Sequence, residues 1–340
     1  MKHRYVGVIV GLSVALVFAI LVYSLEGYVA LNPQRVADQL RVWNFRVTGA
    51  VTEQIRRDQM TAEGKFLYLA SHPKVESKRD FNETCSAVTT DTSILGCYIV
   101  SSKRIYLYHE TDVRLDGTEE VMGAHEMLRA AWDRTSPAER KTLLVQLDRV
   151  LATNHNQDLN LSGRMAGIRH DDPTDADAEL YAFVGTEIPN VGTVLEKNYA
   201  QFFTKRSIVT ALNAHSLAYV IALAKKVNAL TTTMDALNTT INTEVTSFNA
   251  AASTFGTDVD SFNARAERPG GFSSQRQFTV ARQALVDRET ALQATVDQIN
   301  GQIDDFNSDL TKLTALSKTA ASLVKSLNIE LEPLPGIIST

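Results

Sequence analysis

Glu119-Glu120-Val121-Met122-Gly123-Ala124-His125-Glu126-Met127-Leu128-Arg129-Ala130-Ala131-Trp132 is the stretch that decides how this chain is read. Apolar and small residues recur along it at helical spacing, and acidic residues open it. It reads as a helix from about Gly117 to Arg134, with His-Glu-x-x-Arg at its centre. Residues four apart on a helix share a face, so His125 and Arg129 point the same way, with Glu126 beside them. The other long segments read as what anchors, surrounds or extends this helix.

Upstream, Cys97–Val100 and Arg104–Tyr108 are short runs rich in β-branched and aromatic residues. With Ser101-Ser102-Lys103 as a turn they form a β-hairpin, the one clear sheet signal. The polar stretch from Cys85 to Cys97 reads as a loop. A helix from Thr61 ends at Ser71-His72-Pro73, because the residue before proline is pushed away from helical geometry. Asn32-Pro33 reads as an N-cap with proline at the first helical position, opening a helix through Trp43 toward Ile55. Downstream, Ser136-Pro137-Ala138-Glu139 is a capping box that opens another helix. Residues 154–173 are polar and irregular. A further helix runs from Thr174 to Glu187 and carries Glu179, and the chain re-enters the core near Leu195 and Phe203.

From Leu223 to Phe262 apolar residues recur three and four apart. Arg268-Pro269-Gly270-Gly271 interrupts the pattern, which resumes from Phe278 to Leu327. Two helices of similar length around one tight break read as an antiparallel coiled-coil hairpin with arms of ~80–90 Å. The break favours pairing within the chain over pairing between chains.

At the other end, Tyr5–Ser24 carries no charge and has about the 20 residues that a bilayer-spanning helix needs. It reads as an uncleaved anchor, and no later run is expected to span. Lys2 and Arg4 before it and Glu26 after it place the N-terminus in the cytoplasm and the bulk of the chain outside. In that compartment Cys85 and Cys97, the chain's only cysteines, form a disulfide, with two buried thiols as the alternative. The net charge of −5 and the lack of a basic stripe with interleaved aromatics argue against a nucleic-acid binder. The expected layout is a cytoplasmic tip and anchor (1–25), a helical stalk (26–60), an α+β domain (61–207), the coiled-coil hairpin (208–330) and a tail (331–340). The fold class is mainly α.

His125-Glu126-x-x-Arg129 differs at one residue from the His-Glu-x-x-His signature of zinc peptidases. There two imidazoles hold the metal and the glutamate activates its water. The order hairpin, His-Glu helix, capped helix, acidic helix resembles a gluzincin-type zinc-metallopeptidase domain. Gly96-Cys97-Tyr98, Ala124–Leu128 and Glu179–Glu187 are similar to segments of a group of uncharacterised membrane-anchored bacterial proteins that usually carry the full motif. The likeness covers about residues 60–207. It implies a peptidase-like fold, Glu126 as catalytic base, and His125 with Glu179 (alternatively Glu187) as zinc ligands. Arg129 departs from the pattern: a guanidinium stays protonated and has no lone pair for zinc.

Three readings follow. The first is a membrane-anchored, extracytoplasmic peptidase-like protein, impaired or inactive, in which Arg129 pairs with Glu179 as a structural ion pair or serves a pocket for a carboxylate. The second is a cell-envelope scaffold that binds a protein or peptide partner through its hairpin. The third is an active zinc peptidase with a substitute ligand, for which His109, His155 and His170 are the candidates. His215 reads as packed at the base of the hairpin, and His72 as a helix terminator. In the bland alternative, His125 and Glu126 are merely polar residues on a half-buried helix, with Arg129 paired to Glu126, Asp133 or Glu179.

Overall fold

The computed structural model describes residues 26–85, 95–153 and 173–326. The expected anchor Tyr5–Ser24, His155, His170 and the tail lie outside the described residues. The described chain is mainly helical with one three-stranded sheet. Residues 26–31 are helical, and the helices that follow are α1 Pro33–Asn44, α2 Gly49–Arg57, α3 Ala62–Ala70, α4 Lys78–Cys85, α5 Thr118–Arg134, α6 Pro137–Thr153, α7 Pro173–Glu187, α8 Thr193–Tyr199, α9 Arg206–Ala266 and α10 Gln275–Ser326. The strands are β1 Lys74–Glu76, β2 Gly96–Ile99 and β3 Arg104–Tyr108. Two compact units result, one running to Tyr219 and taking in the chain from Val324, the other Val220–Leu323.

The motif helix α5 is the centre of the first unit. Its N-cap, Gly117, sits at φ +96°, a left-handed conformation that costs glycine little. Glu119 and Glu120 in the first turn and Arg134 in the last complement the helix dipole. Val121, Ala124, Met127, Leu128, Ala130 and Trp132 are buried on several sides of it, as expected of a helix surrounded by protein. It packs against α7, α2, α3 and the sheet.

In the sheet, order β1-β3-β2, β3 pairs parallel with β1 and antiparallel with β2. Alternation along β3 sorts its side chains. Ile105 and Leu107 join the main core with α5, while Tyr106 and Tyr108 pack on a small second cluster of Phe81, Cys85 and Cys97. Cys85 and Cys97 are joined by a disulfide that ties α4 to β2.

The structure changes several boundaries. The helix expected from Pro33 to Ile55 is two helices, because Thr48 caps α2 by accepting from the Val51 amide (3.3 Å). The expected stalk is part of the folded body: Asp38 on α1 forms a two-bonded ion pair with Arg134 (2.7 and 2.8 Å), and Asp38 is fully buried. Arg41 donates to the Ala70 carbonyl, and His72 bonds the Arg41 carbonyl at 2.8 Å. The body therefore begins by Pro33 rather than at residue 61. At its other end it continues to Tyr219 rather than 207, because Val209, Thr210, Asn213 and Ser216 on α9 are buried. Lys78–Cys85, to which the sequence assigns no element before the loop expected from Cys85, form α4. Its start is marked by Ser77, whose hydroxyl accepts from the Asp80 amide (3.4 Å).

The second unit consists of most of α9 and α10, which are 61 and 52 residues long. The break at 267–274 includes Gly270 at φ +73°. Contacts between the helices pair high numbers with low ones: Arg288 bonds Asp258, Gln298 and Gln302 bond Glu244, and Phe262 meets Phe278. The two helices therefore run in opposite directions. Little of this unit is buried; Leu223, Met234, Ile299 and Leu323 are its buried apolar residues. Contrary to the expectation that no later run could span, α9 holds an 18-residue window of mean hydropathy 1.5, long and apolar enough to cross a membrane.

Candidate functional site

Two helices bring the site together. On α5, His125 and Arg129 share one face with Glu126 at its margin; on α7, Asp175 and Glu179, also four apart, face them. His125 Nε2 lies 3.1 Å from Glu179 Oε2. Arg129 reaches into the same group: Nη1 is 3.3 Å from Glu126 Oε2, Nη2 donates to Asp175, and Nε is 3.8 Å from the Glu179 oxygen that His125 also contacts. One guanidinium thus sits among three carboxylates and an imidazole. His125 Nδ1 and Arg129 Nε are buried without a hydrogen-bond partner.

Strand β2 closes the group from one side. Gly96 runs over the Glu126 side chain so closely that a Cβ there would lie 2.9 Å from its Cγ and 3.1 Å from Oε1. The absence of a side chain at 96 is what lets Glu126 sit beneath the strand, and the disulfide holds the neighbouring residue of that strand.

The electrostatics follow from burial and charge count. Burial pushes the His125 imidazole down, but Glu179, with help from Glu126, outweighs it and holds the imidazole above its ordinary value. Burial raises the Glu126 carboxyl above the usual carboxylate range against the pull of Arg129 and His125. Arg129 is opposed by burial, yet the three carboxylates hold it firmly protonated. With all three acids ionised, Arg129 alone leaves the group at a net charge of −2, and a proton on His125 brings it to −1.

The chemistry this permits is limited. Arg129 holds a fixed positive charge beside His125 and engages Glu126, Asp175 and Glu179. Among the described residues no group of three or more His, Cys, Asp or Glu is placed to hold a metal ion. The residues as they stand do not fit zinc. They do not fit an anionic ligand either, because the guanidinium is already outnumbered by acids.

Other sequence candidates lie elsewhere. Glu187 is half-buried at the C-terminal end of α7, ~12 Å along the helix from Glu179. His109 bonds Glu119 (3.0 Å) at the opening of α5, more than a turn from His125. His72 stacks on Phe45 at the end of α3. His215, expected to be packed, has a side chain 68% exposed. Asp133 is taken by Tyr98 and Lys103 (2.8 and 2.6 Å) and does not pair with Arg129. Sequence reasoning missed Asp175 and Gly96 as members of the site. The i, i+4 spacing of Asp175 and Glu179, which mirrors that of His125 and Arg129, is the signal that could have found the first. No protein-family model, curated protein or solved structure matches the chain.

Proposed function

We propose that this is a membrane-anchored, extracytoplasmic protein with a metallopeptidase-like body whose hydrolytic site has become a buried ion-pair group. In this reading Glu126 and His125 keep the positions of base and ligand, Glu179 keeps that of the third ligand, and Arg129 replaces the metal's hold on them. The observation that carries the reading is the meeting of His125 and Arg129 on one oxygen of Glu179, which lies 54 residues after His125 in the chain. A merely polar helix face has no need of a histidine and an arginine converging on one half-buried acid.

The experiment is zinc analysis and peptide hydrolysis by the oxidised protein, with Glu126→Gln and Arg129→His for comparison. The expected result is substoichiometric zinc and no hydrolysis in the parent, with zinc uptake in Arg129→His. Equimolar zinc in the parent, or parent hydrolysis lost in Glu126→Gln, would overturn the reading and favour an active peptidase with an unusual ligand set.

A second reading assigns the working surface to the second unit, as an antiparallel coiled-coil hairpin that binds an envelope protein. It is favoured by the apolar residues left open on both helices, among them Val245, Val280, Ile303 and Leu310. The two readings are compatible: an inert body can present a binding arm.

A further inference from the structure

α1 turns Asp38 and Arg41 toward the body beside Val42, which packs on the core, and leaves Leu40 and Trp43 open on its outer side. Between Tyr28 and Val47 the sequence carries four charged residues, Arg35, Asp38, Arg41 and Arg46. Arg35 is bonded to Glu63, Asp38 to Arg134, and Arg41 to the carbonyls of Ala70 and Lys103. Arg46 is exposed. On the other side of the helix Leu40 and Trp43 are 50% and 73% exposed, and Val47, beyond the end of α1, is exposed as well. Tyr28 and Leu31, just upstream, are also exposed, Leu31 by 83%. A water-facing helix normally shows the opposite arrangement, and apolar area left in water forgoes ~25 cal/mol per Å².

The position of this face in the chain indicates what covers it. The uncharged run Tyr5–Ser24 ends four residues before Tyr28 and seven before Leu31. Even a fully extended tether of seven residues spans only ~25 Å, so Leu31 stays near the end of that run. Trp and Tyr, apolar in body and polar at one edge, are enriched where membrane meets water. We infer that the outer face of α1 lies on the lipid bilayer, with Tyr28 and Trp43 at headgroup depth and Arg46 against anionic headgroups. The inference rests on the membrane-anchored reading. It adds that the body is held flat on the membrane rather than raised on a stalk.

The test uses the full chain in vesicles of phosphatidylethanolamine and phosphatidylglycerol, with and without bromine in the acyl chains. The chain has two tryptophans, and Trp132 is 3% exposed and buried in the core, so Trp43 is the reporter. The expected result is loss of Trp43 emission in brominated vesicles and protection of that emission from aqueous iodide; in Trp43→Phe the bromine-sensitive emission is gone and only that of buried Trp132 remains. Leu40→Asp should reopen Trp43 to iodide while the chain still floats with the vesicles. A chain that floats with vesicles but keeps a bromine-insensitive, iodide-quenched Trp43 overturns the inference and leaves the anchor standing. Iodide protection without bromine quenching also overturns it, and points to a second copy of the chain on this face. A chain that does not float removes the anchor and the inference together.

Discussion

Arg129 and Arg134 stand five residues apart on one helix, both largely buried, and they are served very differently. Arg134 meets a single carboxylate, Asp38, through two parallel bonds, and its remaining contacts go to the Ala130 carbonyl (2.8 Å) and the Tyr98 hydroxyl (3.1 Å). Charge is matched one to one and the fork is well used. Arg129 meets three carboxylates at uneven distances and leaves Nε without a hydrogen bond. The first arrangement is a structural tie between α1 and α5. The second has more acid than one arginine can balance, and it draws on His125 for a further proton. A group built only to hold helices together would look like the first.

That contrast can be broken by experiment, and the largest effect belongs to the matched pair. Asp38→Ala leaves Arg134 buried without its partner and should cost ~3–5 kcal/mol in urea unfolding. Replacing both partners, with Asp38→Leu and Arg134→Met, should recover most of that loss. Arg129→Met should cost less, ~1–3 kcal/mol, because Asp175 and Glu179 are partly exposed and His125 can share the charge left on buried Glu126. If Arg129→Met costs more than Asp38→Ala, the second group is a structural tie after all. Zinc should raise the Tm of Arg129→His and leave the parent unmoved.

The smallest effect is the dependence on pH. The His125 imidazole is held above its ordinary value, so its contribution is complete below the unfolded histidine range and fades as pH rises through the folded value. Glu126 is also raised, so the folded protein binds its proton more tightly than the unfolded chain does. Both push the same way: stability falls as pH climbs from the carboxylate range through the histidine range. The slope should flatten in His125→Gln, followed by urea titration at several pH values. An unchanged slope would separate His125 from the group.

Much of this was legible in the chain, for identifiable reasons. The motif helix, the hairpin strands, the capped start of α6 and the interruption at 267–274 all carry local signals: periodicity, capping residues, a Pro-Gly-Gly break. The meeting of His125 with Glu179 was expected only through the resemblance, not from spacing. What escaped depends on partners far off in sequence. Nothing near Asp38 announces that it pairs with Arg134, 96 residues away, so α1 passed for a stalk. β1 is three residues long and exists because β3 offers it an edge. Asp175 sits in a first turn where acids are ordinary, and only the packing of α7 on α5 gives it a task.

The bond between Cys85 and Cys97 sets a practical condition for working with this protein. It pins the strand whose neighbouring residue, Gly96, roofs Glu126, so the roof is only as firm as the pin. Material made in a reducing cytosol would lack it, and a silent assay from such material would say little about Glu126. Catalysis is therefore best assayed on protein refolded under oxidising conditions or exported to a thiol-oxidising compartment.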